Sequence, residues 1–167
     1  MDFKNYSIVP NMFTSKSDLF LTTIEEIAYY EGLLNVTFEN DYKEYVLTYG
    51  NGILGGTYIR IYLPKRIWES LLNWKARITE YWFWDEGKDV LIKEEVLNSI
   101  RIGDTFAGDE IIFLNNAYYI LPRQEEIIFK VGEKLGDLID WLCSSGTLTE
   151  PFKERNFEPF DPGDWTD

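Results

Sequence analysis

IRIGDTFAGDEIIFLNNAYYILPRQEEIIFKV, residues 100–131, alternates short runs of β-forming residues with short polar turns. Ile100-Arg101-Ile102 is one run and Glu110-Ile111-Ile112-Phe113-Leu114 the next. Asn115-Asn116 turns the chain into Tyr118-Tyr119-Ile120-Leu121, and Pro122-Arg123-Gln124-Glu125 turns it again into Ile127-Ile128-Phe129-Lys130-Val131. Strands joined by so few residues pair antiparallel, because a parallel crossover needs about a dozen residues or more. The segment predicts a β-meander.

Helical patterns flank it. After Gly132, Leu135, Leu138, Ile139 and Leu142 mark an amphipathic helix that should cover one face of the sheet, with Ser144-Ser145-Gly146 at its end. Upstream, Thr22 and Thr23 stand three residues before Glu25 and Glu26, a capping-box spacing, and Gly32 offers a stop. Asn40 or Asp41 can cap a second helix with the stripe Tyr42, Tyr45, Val46, Tyr49, closed by Gly50-Asn51-Gly52. Residues 57–62 read as a strand, and Pro64 opens a third helix with Ile67, Trp68, Leu71, Leu72 and Ile78 on its apolar face. Lys93 to Leu97 suit a helical turn. The result is a single α+β domain over 1–167, with a core at about 22–146. Residues 150–167 form an acidic, aromatic, proline-bearing tail that is either disordered or docked through Phe157, Phe160 and Trp165.

Composition narrows the function. The chain has 167 residues, 45 % of them hydrophobic and 17 % aromatic, enough for a packed core without a disulfide or metal. Its formal charge is −13, from 29 acidic and 16 basic residues. Phosphate backbones and anionic membranes repel such a chain, whereas a basic protein is attracted and steered toward it. There is no histidine, so triad and His-ligated metal chemistry are excluded. Cys143 is the sole cysteine and reads as a small buried apolar residue. The first residues lack a signal-peptide pattern and no run suits a membrane span, so a cytoplasmic location is expected.

Two motifs carry candidate chemistry. Tyr81-Trp82-Phe83-Trp84 precedes Asp85-Glu86-Gly87. Read as a strand, it points Tyr81 and Phe83 one way and Trp82 and Trp84 the other. One pair then fills the core while the other lies at the surface beside acidic neighbours; burial on both faces is the alternative. The second motif, Gly103-Asp104 with Gly108-Asp109, offers oxygen ligands for Ca²⁺ or Mg²⁺, or a carboxylate pair for hydrolysis. Its spacing does not fit an EF-hand loop. Asp and Gly are also what a tight turn needs, and we expect that role, with neither metal nor cofactor.

Three segments resemble the SMI1/KNR4 (SUKH) superfamily. Val36 to Gly52 is similar to its LPxDYKEFLxxYNGG stretch, with Glu39 where the family usually has Pro. Ile102 to Phe113 resembles its glycine- and acid-containing β-turn, and Leu135 to Cys143 its closing helix. The resemblance implies an α+β fold with an antiparallel sheet flanked by helices, and a protein that binds rather than catalyses. Many members are immunity proteins against polymorphic toxins, often nucleases; fungal relatives regulate cell-wall synthesis. It thus implies a toxin as partner; the acidic charge of the chain favours a basic one, which Trp82 or Trp84 would meet as anchors, with Asp85, Glu86, Asp104 and Asp109 as charge complements. A monomer or weak homodimer is expected. Alternatives are a carbohydrate- or ligand-binding module using the aromatic run, and a small carboxylate-dependent enzyme.

Overall fold

A computed structural model describes residues 3–55 and 58–164. Its centre is an eight-stranded sheet in the order β1-β8-β2-β3-β4-β5-β6-β7. The strands are β1 (Ser7–Ile8), β2 (Gly52–Leu54), β3 (Ile59–Ile61), β4 (Ile100–Thr105), β5 (Glu110–Leu114), β6 (Ala117–Leu121), β7 (Phe129–Gly132) and β8 (Asn156–Pro159). From β2 to β7 each strand pairs antiparallel with the next. The expected meander is therefore present and extends two strands further upstream. Asn115 and Asn116 both adopt positive φ at the β5–β6 turn, which asparagine tolerates.

Both faces of the sheet are covered, and alternation along the strands decides which residue goes where. Ile111 and Phe113 of β5, with Tyr118 and Ile120 of β6, face the larger cluster. That cluster is closed by Tyr42, Tyr45 and Val46 of α2 (Asn40–Thr48) and Leu135, Leu138, Ile139 and Leu142 of α5 (Leu135–Ser144). Ile112, Ala117, Tyr119 and Leu121 face the second cluster. There they meet Trp74 and Ile78 of α3 (Pro64–Glu80), Val96 of α4 (Lys93–Leu97), Trp84 and Leu91. A period of two on strands packed on both sides makes such near-continuous apolar runs.

Several boundaries differ from the sequence reading. Helix α1 (Ile24–Leu34) runs through Gly32 and stops at Asn35, which takes the left-handed conformation at φ 53°. A Cβ at Gly32 would meet nothing within 4 Å, so that glycine is simply a helical residue. Helix α2 is capped by Glu39, ahead of both expected caps, Asn40 and Asp41. Gly50, by contrast, is required: its φ is 76°, and a Cβ there would stand 2.1 Å from the Phe20 carbonyl oxygen. The expected strand over 57–62 shortens to β3, with Thr57 outside the described residues.

The tail is the largest departure. Residues 156–159 enter the sheet as β8, antiparallel to β2 and parallel to β1. Phe157 is fully buried, and the Asn51 side-chain amide donates to the Phe160 carbonyl at 2.8 Å while the Phe160 N–H donates to the Asn51 carbonyl at 3.1 Å. Pro159 is tolerated because β1 pairs only with Asn156 and Phe157, so that β8 is an edge at Pro159. Trp165 and Asp167 lie outside the described residues.

Candidate interaction surface

The second cluster fixes the geometry of the aromatic run. Trp74 and Ile78 anchor the last turns of α3 on the sheet, and Tyr81 caps the helix. Residues 82–84 are irregular rather than a strand, and a 3₁₀ turn over Asp85–Gly87 follows. Gly87 has to be glycine here: a Cβ would lie 2.7 Å from the Ile128 backbone nitrogen.

Alternation in this segment is real but opposite in sense to the anchors proposed from sequence. Trp84 is only 5 % exposed; it lies in the second cluster, and its indole N–H donates to the Pro122 carbonyl at 2.7 Å. It is a core residue and no surface anchor, because burial of the ring with its donor satisfied is the favourable end state for an indole. Trp82 is half-buried against the same cluster, 5.5 Å from Trp84 edge to face, and its N–H donates to Asp85 Oδ1 at 2.9 Å. Tyr81 and Phe83 point outward instead, 67 % and 38 % exposed. Asp85 and Glu86 are exposed beside them, as expected.

The expected acidic turn holds only for Gly108 and Asp109, beside the β4–β5 turn; Gly103 and Asp104 lie within β4 and pair with β3, so the two aspartates do different jobs. Asp109 is buried: its Oδ2 accepts from the Thr105 hydroxyl at 2.7 Å and its Oδ1 from the Arg123 N–H at 2.9 Å. It ties the β4–β5 turn to the β6–β7 turn and so is not a charge complement at the surface. The same turn displays Phe106, 79 % exposed. Asp104 is half-buried and bound from two sides, by the Arg60 guanidinium through both Nε and Nη2 and by the Tyr62 hydroxyl at 2.7 Å. Burial first, and then the Asp104 charge, push the Tyr62 phenol far up from its ordinary value. The two aspartates thus serve separate partners, and among the described residues no group of three metal-ligating side chains forms.

Asp104 belongs to a cross-strand row that the sequence reading did not anticipate. Arg60, Asp104 and Glu110 are successive neighbours on β3, β4 and β5. Glu110 in turn pairs with Arg77 of α3 and with Arg101 at 3.5 Å, and accepts from the Trp74 indole at 3.3 Å. The arginines were legible only in part. Arg60 alternates with the buried Ile59 and Ile61, which places it on the opposite face, but its partner depends on strand register.

Between α3 and this row lies an open groove of about 400 Å³. Its walls include Arg77, Tyr81, Phe83 and Arg123, and its floor Asp104 and Glu110. The chain on either side of Tyr81 and Phe83 is rich in exposed carboxylates: residues 80–95 carry Glu80, Asp85, Glu86, Asp89, Glu94 and Glu95 against Lys88 and Lys93. Lys93 is turned back to donate to the Thr79 carbonyl at 2.8 Å. Glu125 and Glu126 lie exposed just ahead of Ile128, which packs on Gly87. The segment, its acids and the alternating pair Tyr81 and Phe83 were legible in the sequence; Arg77 and Arg123 were not, because they come to the groove from α3 and from the β6–β7 turn.

A family model described as SMI1-KNR4 cell-wall (SUKH_6) matches residues 24–120, more than half of the chain. The chain belongs to this family. The match runs from α1 to β6 and contains the Arg60–Asp104–Glu110 row and the aromatic run; α5 and β8 lie beyond it. Among curated proteins, none matches the chain at a significant level. Among the described residues no helix is long and apolar enough to cross a membrane.

Proposed function

We propose that this SMI1/KNR4 family member is an immunity protein, which neutralises a cationic toxin domain by binding it and performs no catalysis of its own. The observation that carries the reading is the groove beside α3, lined by Arg77, Arg123, Tyr81 and Phe83, in a stretch of chain that carries exposed carboxylates. Interfaces concentrate their energy in Tyr, Trp and Arg near the centre, while charges around them steer approach and suppress wrong partners. Tyr81 and Phe83 are the anchors in this reading, with Asp85 and Glu86 in the steering rim and Asp104 in the floor. A nuclease domain, basic because it holds phosphates, is the partner class that fits the charge.

Co-expression with the toxin domain encoded beside the gene is the experiment. Protection of the cells, together with a complex whose association rate falls steeply with salt, is the expected result. A toxin that kills equally well in its presence, with no complex formed, would end the proposal. A glycan array that retains the protein through Tyr81 and Phe83 would favour the sugar-binding alternative instead.

A further inference from the structure

The sheet ends at β7. No strand lies beyond it, and among the described residues no element other than β6 hydrogen-bonds to the backbone of residues 129–132. An antiparallel edge strand turns the N–H and C=O of alternate residues away from its neighbour, so β7 is a template for one more strand. The opposite edge, β1, has two residues and is followed by Val9 and Pro10, whereas β7 has four. Charge decides what such an edge accepts. Glu125, Glu126 and Glu133 flank β7, all exposed, against Lys130 within it. Ile128 packs on Gly87 and so brings the turn that carries Asp85 and Glu86 against the entry to β7. A second copy of a chain of charge −13 is repelled there, and a basic segment is attracted. Side chains complete the template: Phe129 and Trp141 of α5, both half-buried, lie ring to ring at 5.0 Å at this end of the sheet.

We propose that β7 docks an extended, basic segment of the partner as a ninth strand of the sheet. Alternate side chains of that segment are apolar and extend the face of Phe129 and Trp141, as the period of two requires, while Lys or Arg residues meet the flanking glutamates. The inference rests on the proposed binding function and deepens it, because main-chain hydrogen bonds at β7 add affinity to that of the groove. One partner can reach both places. Arg123 in the groove wall and Phe129 at the start of β7 are six residues apart, at most about 20 Å of chain, within the span of an interface that buries roughly 800 Å² per partner.

The test is amide hydrogen exchange, read residue by residue by NMR on the full chain alone and in complex with the toxin domain encoded beside the gene. The outward amides of β7 should exchange at least about tenfold more slowly in the complex, with backbone NOEs between β7 and the toxin. The double variant Glu126→Lys, Glu133→Lys should bind about tenfold more weakly. A complex in which β7 exchanges as it does in the free chain, or shows no such NOEs, overturns this inference and leaves the groove as the interface. Equal affinity of the double variant overturns the basic character of the added strand. Absence of any complex removes both this inference and the function on which it rests. Protection of β7 that grows with the concentration of the chain alone also overturns it, because the edge would then pair with a second copy.

Discussion

Glu39 joins two helices to the sheet. It caps α2 by accepting from the Tyr42 N–H at 3.2 Å and the Asp41 N–H at 2.6 Å. Its Oε1 also accepts from the Tyr118 hydroxyl at 2.7 Å and from the Leu135 N–H, the first of α5, at 2.8 Å. One carboxylate thus meets orphan donors at the starts of two helices, where the helix dipoles favour negative charge. Glu39→Ala should destabilise the protein by roughly 2–4 kcal/mol in urea unfolding, since a lost cap costs about 1 kcal/mol and the other donors are left buried. Tyr45 gives the opposite expectation. Its ring is fully buried, yet its hydroxyl has no hydrogen-bond partner among the described residues. Tyr45→Phe should leave stability unchanged or raise it by up to about 1 kcal/mol, because only an unsatisfied polar atom is removed. Burial also pushes the phenols of Tyr42, Tyr45 and Tyr118 well above their ordinary value. Their neutral forms are favoured in the folded state, so this stability is complete below the unfolded phenol's pKa of about 10 and is lost as pH rises beyond it. Phenolate absorbance should show these three tyrosines ionising only as the protein unfolds in alkali; early reversible titration in the native state would contradict the burial.

At the level of elements, the meander and the two core helices α2 and α5 were legible in the sequence, because their signals are local. Short turns fix antiparallel neighbours, and the Leu135–Leu138–Ile139–Leu142 stripe marks one face of a helix. β8 was not, because its strand character depends on a partner distant in sequence. Prolines at 151, 159 and 162 argue against regular structure locally, while Phe157 is drawn in by Tyr45 and Tyr49, at ring distances of 6.1 and 5.2 Å. Phe157→Ala should therefore cost about 3–5 kcal/mol, the range for emptying a core aromatic site. Limited proteolysis of the native protein should leave residues 156–160 intact; rapid loss of that segment with the remainder still folded would show that β8 is dispensable. The candidate surface was half legible for a related reason. A period of two in Tyr81–Trp84 tells which residues go together and says nothing of which pair faces in. That choice is made by the Pro122 carbonyl, which takes the Trp84 N–H, and by the second cluster, which takes its ring.

Across the whole molecule, charge and shape divide the work. Arginine, scarce in this acidic chain, is gathered in and around the row: Arg60 holds Asp104, and Arg77 and Arg101 hold Glu110. The carboxylates of that row are therefore engaged inside the fold, whereas those of residues 80–95 are exposed to solvent, where their charge acts at long range. Reversing Asp85 and Glu86 to lysine should slow association with a cationic toxin by about tenfold or more at low salt and alter dissociation little, as expected of steering charges. The central claim is met most directly by the affinity of the neighbouring toxin domain for the native chain and for a Tyr81→Ala, Phe83→Ala double variant. We expect the double variant to keep its melting temperature and to bind at least about tenfold more weakly, as two interface anchors should contribute. Equal affinity for the two proteins would contradict the account.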